Sequence, residues 1–257
     1  MIAEKGTLPN MDTKQVIDLK VSTLNYEQVL KSIMDLTNLT YPSYVCFANA
    51  HMAVEARLNP KIAESVNNAT IVTSDGMSVV MALKYIHKIK QDRSAGMDMI
   101  FDLLNECRNQ NKSIFLFGND QETLSAFIEK AQKEYHGINI CGALSPSYDQ
   151  FTKEENDYYI EQINKAKPDI VFVSLGCPKQ ELWMAENTRR INSVLLGIGG
   201  AMTLYAKKVK RAPVFMQKNG LEWLYRLIQE PKRLWKRYLI TNTLFIYYFF
   251  KQLISKR

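Results

Sequence analysis

Short apolar runs, each closed by small or polar residues, alternate along this chain with longer segments whose apolar positions recur every three or four residues. The first pattern predicts strands buried on both faces, the second amphipathic helices. Strands are expected at Val16–Ser22, Tyr44–Ala48, Ala69–Thr73, Ser113–Phe117, Ile138–Cys141, Ile170–Leu175 and Ser193–Leu196. Helices are expected at Tyr26–Leu36, from Met52 to Leu58, at Ser78–Ile89 and from Asp98 to Arg108. More follow from Asn119 or Asp120 to Glu134, at Lys153–Ala166, and from Lys179 through Thr188. Strand and helix alternate with no internal repeat. That order predicts the α/β class: a Rossmann-like, doubly wound, mostly parallel sheet with helices on both faces.

The texture changes near Arg211-Ala212-Pro213, which divides the chain into an α/β domain (1–210) and a helical appendage (211–257). Within the appendage, Leu221–Ile228 reads as a short helix, and Pro231 suits the first turn of a longer one, Lys232–Leu253. The formal charge of +7 is unevenly placed. Thirteen Lys and Arg against two Glu between Lys207 and Arg257 give +11 there and leave −4 for the rest. Arg233, Lys236 and Arg237 form one helical stripe among Trp235, Tyr238, Tyr247 and Tyr248, aromatics suited to a lipid headgroup layer. Phe245, Phe249 and Phe250 are expected to enter the acyl boundary. The apolar run Leu244–Phe250 falls far short of the roughly 20 residues a membrane-spanning helix needs. Contact with a membrane surface is therefore expected. Basic residues interleaved with aromatics also suit single-stranded nucleic acid, but a patch ending in Ile-Tyr-Tyr-Phe-Phe sits poorly against phosphates, so no nucleic-acid partner is expected. The remaining alternative is a helix for self-association into a homo-oligomer. The polar start lacks the apolar segment of a signal peptide, and Cys46, Cys107, Cys141 and Cys177 have no metal-binding spacing. Both features predict a cytoplasmic location with free thiols.

The chemistry is expected where strands end. Asp169–Glu181, DIVFVSLGCPKQE, couples a buried strand to a Gly-Cys-Pro turn and a polar triplet, Lys179-Gln180-Glu181, at a helix start. In open α/β sheets that edge holds ligands. Asn49, Asp75 and Gln180 all stand at strand ends, and Asp75 is the carboxylate among them. A partly desolvated aspartate there can act as general base toward a hydroxyl; its alternative role is to cap the helix beginning near Ser78. His51 follows Asn49 and is placed either in the same cleft or as a satisfied helix-start residue. Gly197-Ile198-Gly199-Gly200 resembles a dinucleotide fingerprint but has Met202 where the third glycine belongs, which weakens a nicotinamide reading. Such a turn can still receive a diphosphate on its backbone N–H groups. Lys207, Lys208, Lys210 and Arg211 could funnel an anionic substrate or form a solvated face. There is no Walker sequence and no Asp-x-Asp pair, and the three histidines are scattered, so neither cofactor nor metal is expected.

Several motifs come in a fixed order: Asn49-Ala50-His51, Thr73-Ser74-Asp75-Gly76, Arg93-x-Ala95-Gly96-x-Asp98 and Gly176-x-Pro178-Lys179-Gln180-Glu181. They continue with Gly197-x-Gly199-Gly200-Ala201, Arg211-Ala212-Pro213, Gly220–Leu227, Glu230-Pro231-x-Arg233 and Arg237-Tyr238. Over roughly residues 15–245 this series resembles the WecG/TagA/CpsF family of bacterial glycosyltransferases. The resemblance implies an inverting, metal-independent transfer from a UDP-sugar donor to a polyprenyl-diphosphate-linked saccharide, undecaprenyl in the lipid, during surface-polysaccharide synthesis. It implies work at the inner face of the cell membrane. It assigns Asp75 as the base and places Gln180 beside the substrates. Asn49, His51, Gly76, Arg93, Asp98, Lys179, Glu181, Gly197, Gly199, Gly200, Arg211, Arg226, Arg233 and Arg237 are the implied substrate-binding positions, with the basic appendage meeting the membrane and closing over the site. Phe47, where some members have threonine, and Met202-Thr203, in place of Phe-Asp, depart from the pattern and bear on donor-sugar identity. The competing expectation is a non-catalytic nucleotide-sugar-binding or assembly protein at the membrane.

Overall fold

A computed structural model describes residues 11–39, 41–147, 151–206 and 212–255. The chain opens with an antiparallel hairpin, β1 (Thr13–Val16) and β2 (Leu19–Ser22), followed by α1 (Tyr26–Leu36). β3 (Ser43–Ala48) leads to α2 (Ala50–Leu58), α3 (Pro60–Asn67) and β4 (Ile71–Ser74). Then come α4 (Met77–His87), α5 (Gly96–Asn109), β5 (Ser113–Gly118), α6 (Gln121–Glu134) and β6 (Asn139–Leu144). α7 (Lys153–Ala166), β7 (Ile170–Ser174), α8 (Lys179–Asn187), β8 (Val194–Gly197) and α9 (Gly200–Ala206) complete the alternating part. α10 (Val214–Lys218), α11 (Glu222–Gln229) and α12 (Pro231–Ser255) follow.

Local chemistry starts these helices where the pattern changes. Asn25 with Gln28, and Thr152 with Glu155, form capping boxes on α1 and α7; Asp120 caps α6 by accepting from Thr123 N at 2.7 Å. Asn59 caps α3, and Pro60 occupies its first turn.

Six strands form one sheet in the order β4-β3-β8-β7-β5-β6, every neighbouring pair parallel. β3, β4, β5, β7 and β8 are buried at every residue, which explains their unbroken apolar runs. Alternate strand residues feed two cores. Cys46, Phe117, Val173 and Leu195 pack with α2, α3, α4, α7 and α8 on one face. Val45, Leu116, Phe172 and Leu196 pack with α1, α5, α6 and α9 on the other. β3 thus exits toward the first face and its neighbour β8 toward the second. Adjacent strands that leave in opposite directions open a crevice at their carboxyl ends.

α12 returns across the first face. Its buried stripe, Leu234, Thr241 and Phe245, packs on α2 and α4. At its far end the Gln252 side chain accepts from Ile17 N at 2.8 Å and donates to Gln15 O at 2.9 Å, tying the helix to the hairpin.

The fold matches the expected class, with local corrections. The expected strand Val16–Ser22 is a hairpin whose turn places Ile17 at φ +58°. α3 and α10 were not foreseen, and α5 starts two residues earlier than expected. Among the described residues no helix is long and apolar enough to cross a membrane. Lys207, Lys208, Lys210 and Arg211 lie outside the described residues.

At the carboxyl edge of the sheet two strand backbones approach closely. Gly118 has φ +116°, and a Cβ there would lie 2.3 Å from Ser174 O on the neighbouring strand. Gly137, at φ +86°, would place a Cβ in open space. Gly137→Ala therefore carries backbone strain alone, about 1–2 kcal/mol. Gly118→Ala adds a collision with backbone and is expected to lower stability by clearly more, which urea denaturation midpoints of the two variants will compare.

Candidate functional site

A cleft of about 1080 Å³ runs along the carboxyl edge of the sheet. Its floor is made by the residues that follow β3, β4, β5, β7 and β8, and its roof by α11 and α12. The parallel register sets this floor: Ala48 pairs with Ser74, Cys46 and Val173 with Gly197, and Gly118 with Ser174.

Asp75 directly follows β4, and its carboxyl is only partly exposed to the cleft. It does not cap α4, which begins after Gly76 without a side-chain cap. Instead Oδ1 accepts from Gly96 N at 2.9 Å, at the amino end of α5. Burial raises the carboxyl above its ordinary range; the Gly96 N–H and the Arg93 charge pull against that, Glu222 adds to it, and Arg226 opposes it. The result is a carboxylate held by one oxygen, with its proton affinity increased. That suits a group that must accept a proton from a neutral hydroxyl.

Arg93 is clamped between two elements. One nitrogen faces Asp98 of α5 at 3.5 Å, and another donates a short hydrogen bond to Glu222 of α11. Its guanidinium is thus largely committed to joining α11 to the sheet edge. Arg226 approaches the glycine turn after β8, with Nη2 3.7 Å from where a Cβ on Gly200 would sit. Arg237 also lines the cleft, and its buried Nε has no hydrogen-bond partner among the described residues. Arg233 reaches the rim, exposed and ion-paired with Glu230. Lys179 lies 4.7 Å from the Phe151 ring centroid and lines the wall.

His51 is the second residue of α2, and its Nδ1 lies 3.4 Å from Thr241 Oγ1 of α12. Burial, and then the Arg237 charge, lower its pKa, which favours the neutral imidazole. Asn49 caps α2 by accepting from Met52 N at 3.1 Å, while its side chain lines the floor.

Beneath the glycine turn lies a buried amide–acid pair. Gln180 Nε2 donates to Gly197 O and to Glu181 Oε1, both at 2.8 Å. Glu181 is fully buried, and burial pushes its carboxyl up to about 7 against the hydrogen bonds that favour ionisation.

The cleft brings together Asn49, His51, Asp75, Gly76, Arg93, Lys179, Gln180, Gly197, Gly199, Gly200, Arg226, Arg233 and Arg237. Two expected positions stand elsewhere. Glu181 lies under the floor rather than in it, and Asp98 grips Arg93 from behind. Arg211 is outside the described residues. Of the helical stripe Arg233, Lys236 and Arg237, the two arginines line the cleft as expected, while Lys236 stays exposed. Sequence reasoning missed Glu222, whose partner is 129 positions away, and a polar wall built on Asn119. Asn119 donates to Ser174 Oγ at 2.5 Å and accepts from Thr203 Oγ1 at 2.9 Å. Its place at a strand end was a usable signal.

Comparison with known proteins agrees with this arrangement. The model of the glycosyl transferase WecG/TagA/CpsF family matches residues 14–257. Three similar proteins carry the name N-acetylglucosaminyldiphosphoundecaprenol N-acetyl-beta-D-mannosaminyltransferase. The one from Bacillus spizizenii is 33% identical over 198 residues, 77% of this chain and 75% of that protein. The one from Bacillus subtilis is 33% identical over 221 residues, 79% of this chain and 83% of its own length. The third, from Staphylococcus aureus, is 28% identical over 195 residues, 74% of each chain. With a cleft at the carboxyl edge of a parallel sheet and a family match across nearly its whole length, the chain belongs to the WecG/TagA/CpsF family of glycosyltransferases.

Proposed function

We propose that the protein transfers a sugar from a UDP-sugar to the saccharide of an undecaprenyl-diphosphate lipid, with inversion and without a metal ion. The observation that carries this reading is the Asp75 carboxyl, anchored by Gly96 N–H in a cleft whose roof is lined by Arg226, Arg233 and Arg237. An acceptor hydroxyl attacks the anomeric carbon as the bond from that carbon to the diphosphate oxygen breaks. The hydroxyl proton passes to Asp75, and UDP leaves as an anion. Arg226 and Arg237, together with backbone N–H groups of the glycine turn, would stabilise the departing diphosphate. Transfer of N-acetylmannosamine to N-acetylglucosaminyl-diphosphoundecaprenol is the first pair to test, because the three relatives carry it in their names.

The lipid substrate fits the outer surface of α12. Trp235, Leu239, Ile240, Ile246, Tyr247, Phe250 and Ile254 are exposed there, beside Lys232 and Lys236. Phe245 is buried against the sheet domain, while Tyr248 and Phe249 are only partly exposed, so the membrane-facing row differs from the one expected from sequence. An apolar face rimmed by lysines suits the headgroup boundary of the inner membrane leaflet, where each basic residue contributes about 1 kcal/mol. The protein would thus act as a peripheral protein on the cytoplasmic side, with the cleft at the bilayer surface.

UDP release on mixing protein, UDP-sugar and lipid acceptor tests the reaction. Nucleotide-sugar binding without release would instead favour a carrier or assembly role, and dependence on added divalent metal would overturn the proposed charge stabilisation. Asp75→Asn is expected to lower kcat by about 10²–10⁴-fold. The base must be ionised, so activity should fall with decreasing pH through a midpoint above the ordinary carboxylate range. Residual activity of Asp75→Asn should lack that acid limb, and pH profiles of kcat/KM for both proteins will check it. Replacing Trp235, Leu239 and Phe250 with Ser should weaken co-sedimentation with anionic vesicles while leaving the thermal midpoint near that of the wild type. Unchanged vesicle binding would remove the membrane role of this face.

A further inference from the structure

Gln180 is almost completely buried, at 4% exposed, yet it forms part of the cleft wall. Its amide has two ends of opposite hydrogen-bonding character, and a flip exchanges them. Here the flip is decided from below. Nε2 faces two oxygens, Gly197 O and Glu181 Oε1, each at 2.8 Å. The reversed amide would set its own oxygen against both, losing two hydrogen bonds and creating two repulsive contacts. Oε1 is therefore directed toward Gly199, 3.2 Å from where a Cβ on that residue would sit, and it has no partner among the described residues. A buried acceptor without a donor is destabilising by about 1–3 kcal/mol, so an orientation that leaves one must be enforced by its neighbours.

We propose that Glu181 is a positioning residue for the transfer reaction, fixing the Gln180 amide so that its nitrogen holds Gly197 O and, with it, the glycine turn that receives the diphosphate. This rests on the proposed sugar transfer. The ligand chemistry such a turn would meet is a diphosphate, received on its backbone N–H groups. The carboxylate excludes the reversed amide outright; the neutral acid keeps an acceptor oxygen for Gln180 Nε2, and Gly197 O then opposes the flip. A glutamine at 181 would present an equivalent carbonyl oxygen. A methionine of similar length would not.

Two measurements on the full-length protein test the assignment. In deuterated, ¹⁵N-labelled protein the Gln180 side-chain NH₂ signals are identified by their loss in Gln180→Ala. Slow hydrogen exchange of these protons is expected in the wild type and in Glu181→Gln, and at least about tenfold faster exchange in Glu181→Met. In the UDP-release assay, Glu181→Met should lose about 10–100-fold in kcat/KM, Glu181→Gln should recover to within about 3-fold of wild type, and Glu181→Met should add little in a Gln180→Ala background. Equal exchange in Glu181→Met and wild type, or equal damage by Met and Gln, overturns the assignment. Should Glu181→Met fail to fold, the wild type decides, because fast exchange of its Gln180 amide is incompatible with the clamp. A wild type that releases no UDP would sink the transfer reading and leave the exchange measurement to judge this one.

Discussion

Every functional feature of this protein depends on one constraint, the parallel pairing of β3, β8 and β7 at the centre of the sheet. Parallel strands need crossover helices, and the crossovers return each carboxyl end to the same edge. The register then places Gly197 level with Cys46 on one side and Val173 on the other, so the turn after β8 lies between the ends of its neighbours. Because β3 and β8 send their helices to opposite faces, neither crossover helix covers the edge between them, and its roof comes from α11 and α12. The cleft results from topology before any side chain is chosen.

What the edge then holds is shaped by partial burial. Polar groups there are mostly satisfied by turn backbone: Asp75 by Gly96 N–H, Asn49 by Met52 N–H, Ser174 Oγ by Gly199 O at 2.7 Å. Burial raises the proton affinity of Asp75 and lowers that of His51, so that both are pushed toward their neutral forms. Positive charge enters from the other side, on α11 and α12. The two sides meet at Arg93, which holds Asp98 of α5 and Glu222 of α11 at once. A bridge of this kind contributes more to orientation than to stability, because desolvation of the three ions offsets much of their attraction.

The sheet could be read from the sequence because strands buried on both faces write continuous apolar runs, and those runs stop where the chemistry begins. The hairpin could not, since Val-Ile-Asp-Leu-Lys-Val alternates without a glycine, asparagine or proline to mark its turn, and Ile17 takes the left-handed conformation itself. Asn59-Pro60 reads as the end of one helix and is also the cap and first residue of the next. In the site, residues fixed by local sequence, such as Asp75 and the glycine turn, were legible. Pairings across the chain, such as Arg93 with Glu222, leave no local trace. Of Lys179-Gln180-Glu181 only Glu181 departs from the expected cleft position, because successive helical residues point about 100° apart and the three cannot share one face. Lys179 lines the wall, Gln180 is wedged behind the turn, and Glu181 is sealed beneath it.

The docking of α12 gives the cleft a dependence on its surroundings. The helix is held at three separated points: Leu234 near the roof, Thr241 beside His51, and Gln252 against the hairpin. Its outer side leaves large apolar residues in water, which is unfavourable for the isolated protein and relieved at a lipid boundary. The same helix carries Arg233 and Arg237 on the side that meets the cleft. A surface that buries the outer face of α12 leaves its other face free to complete the roof. With the exposed aromatics and the cleft arginines on one helix, the proposed membrane contact would put the cleft at the bilayer surface.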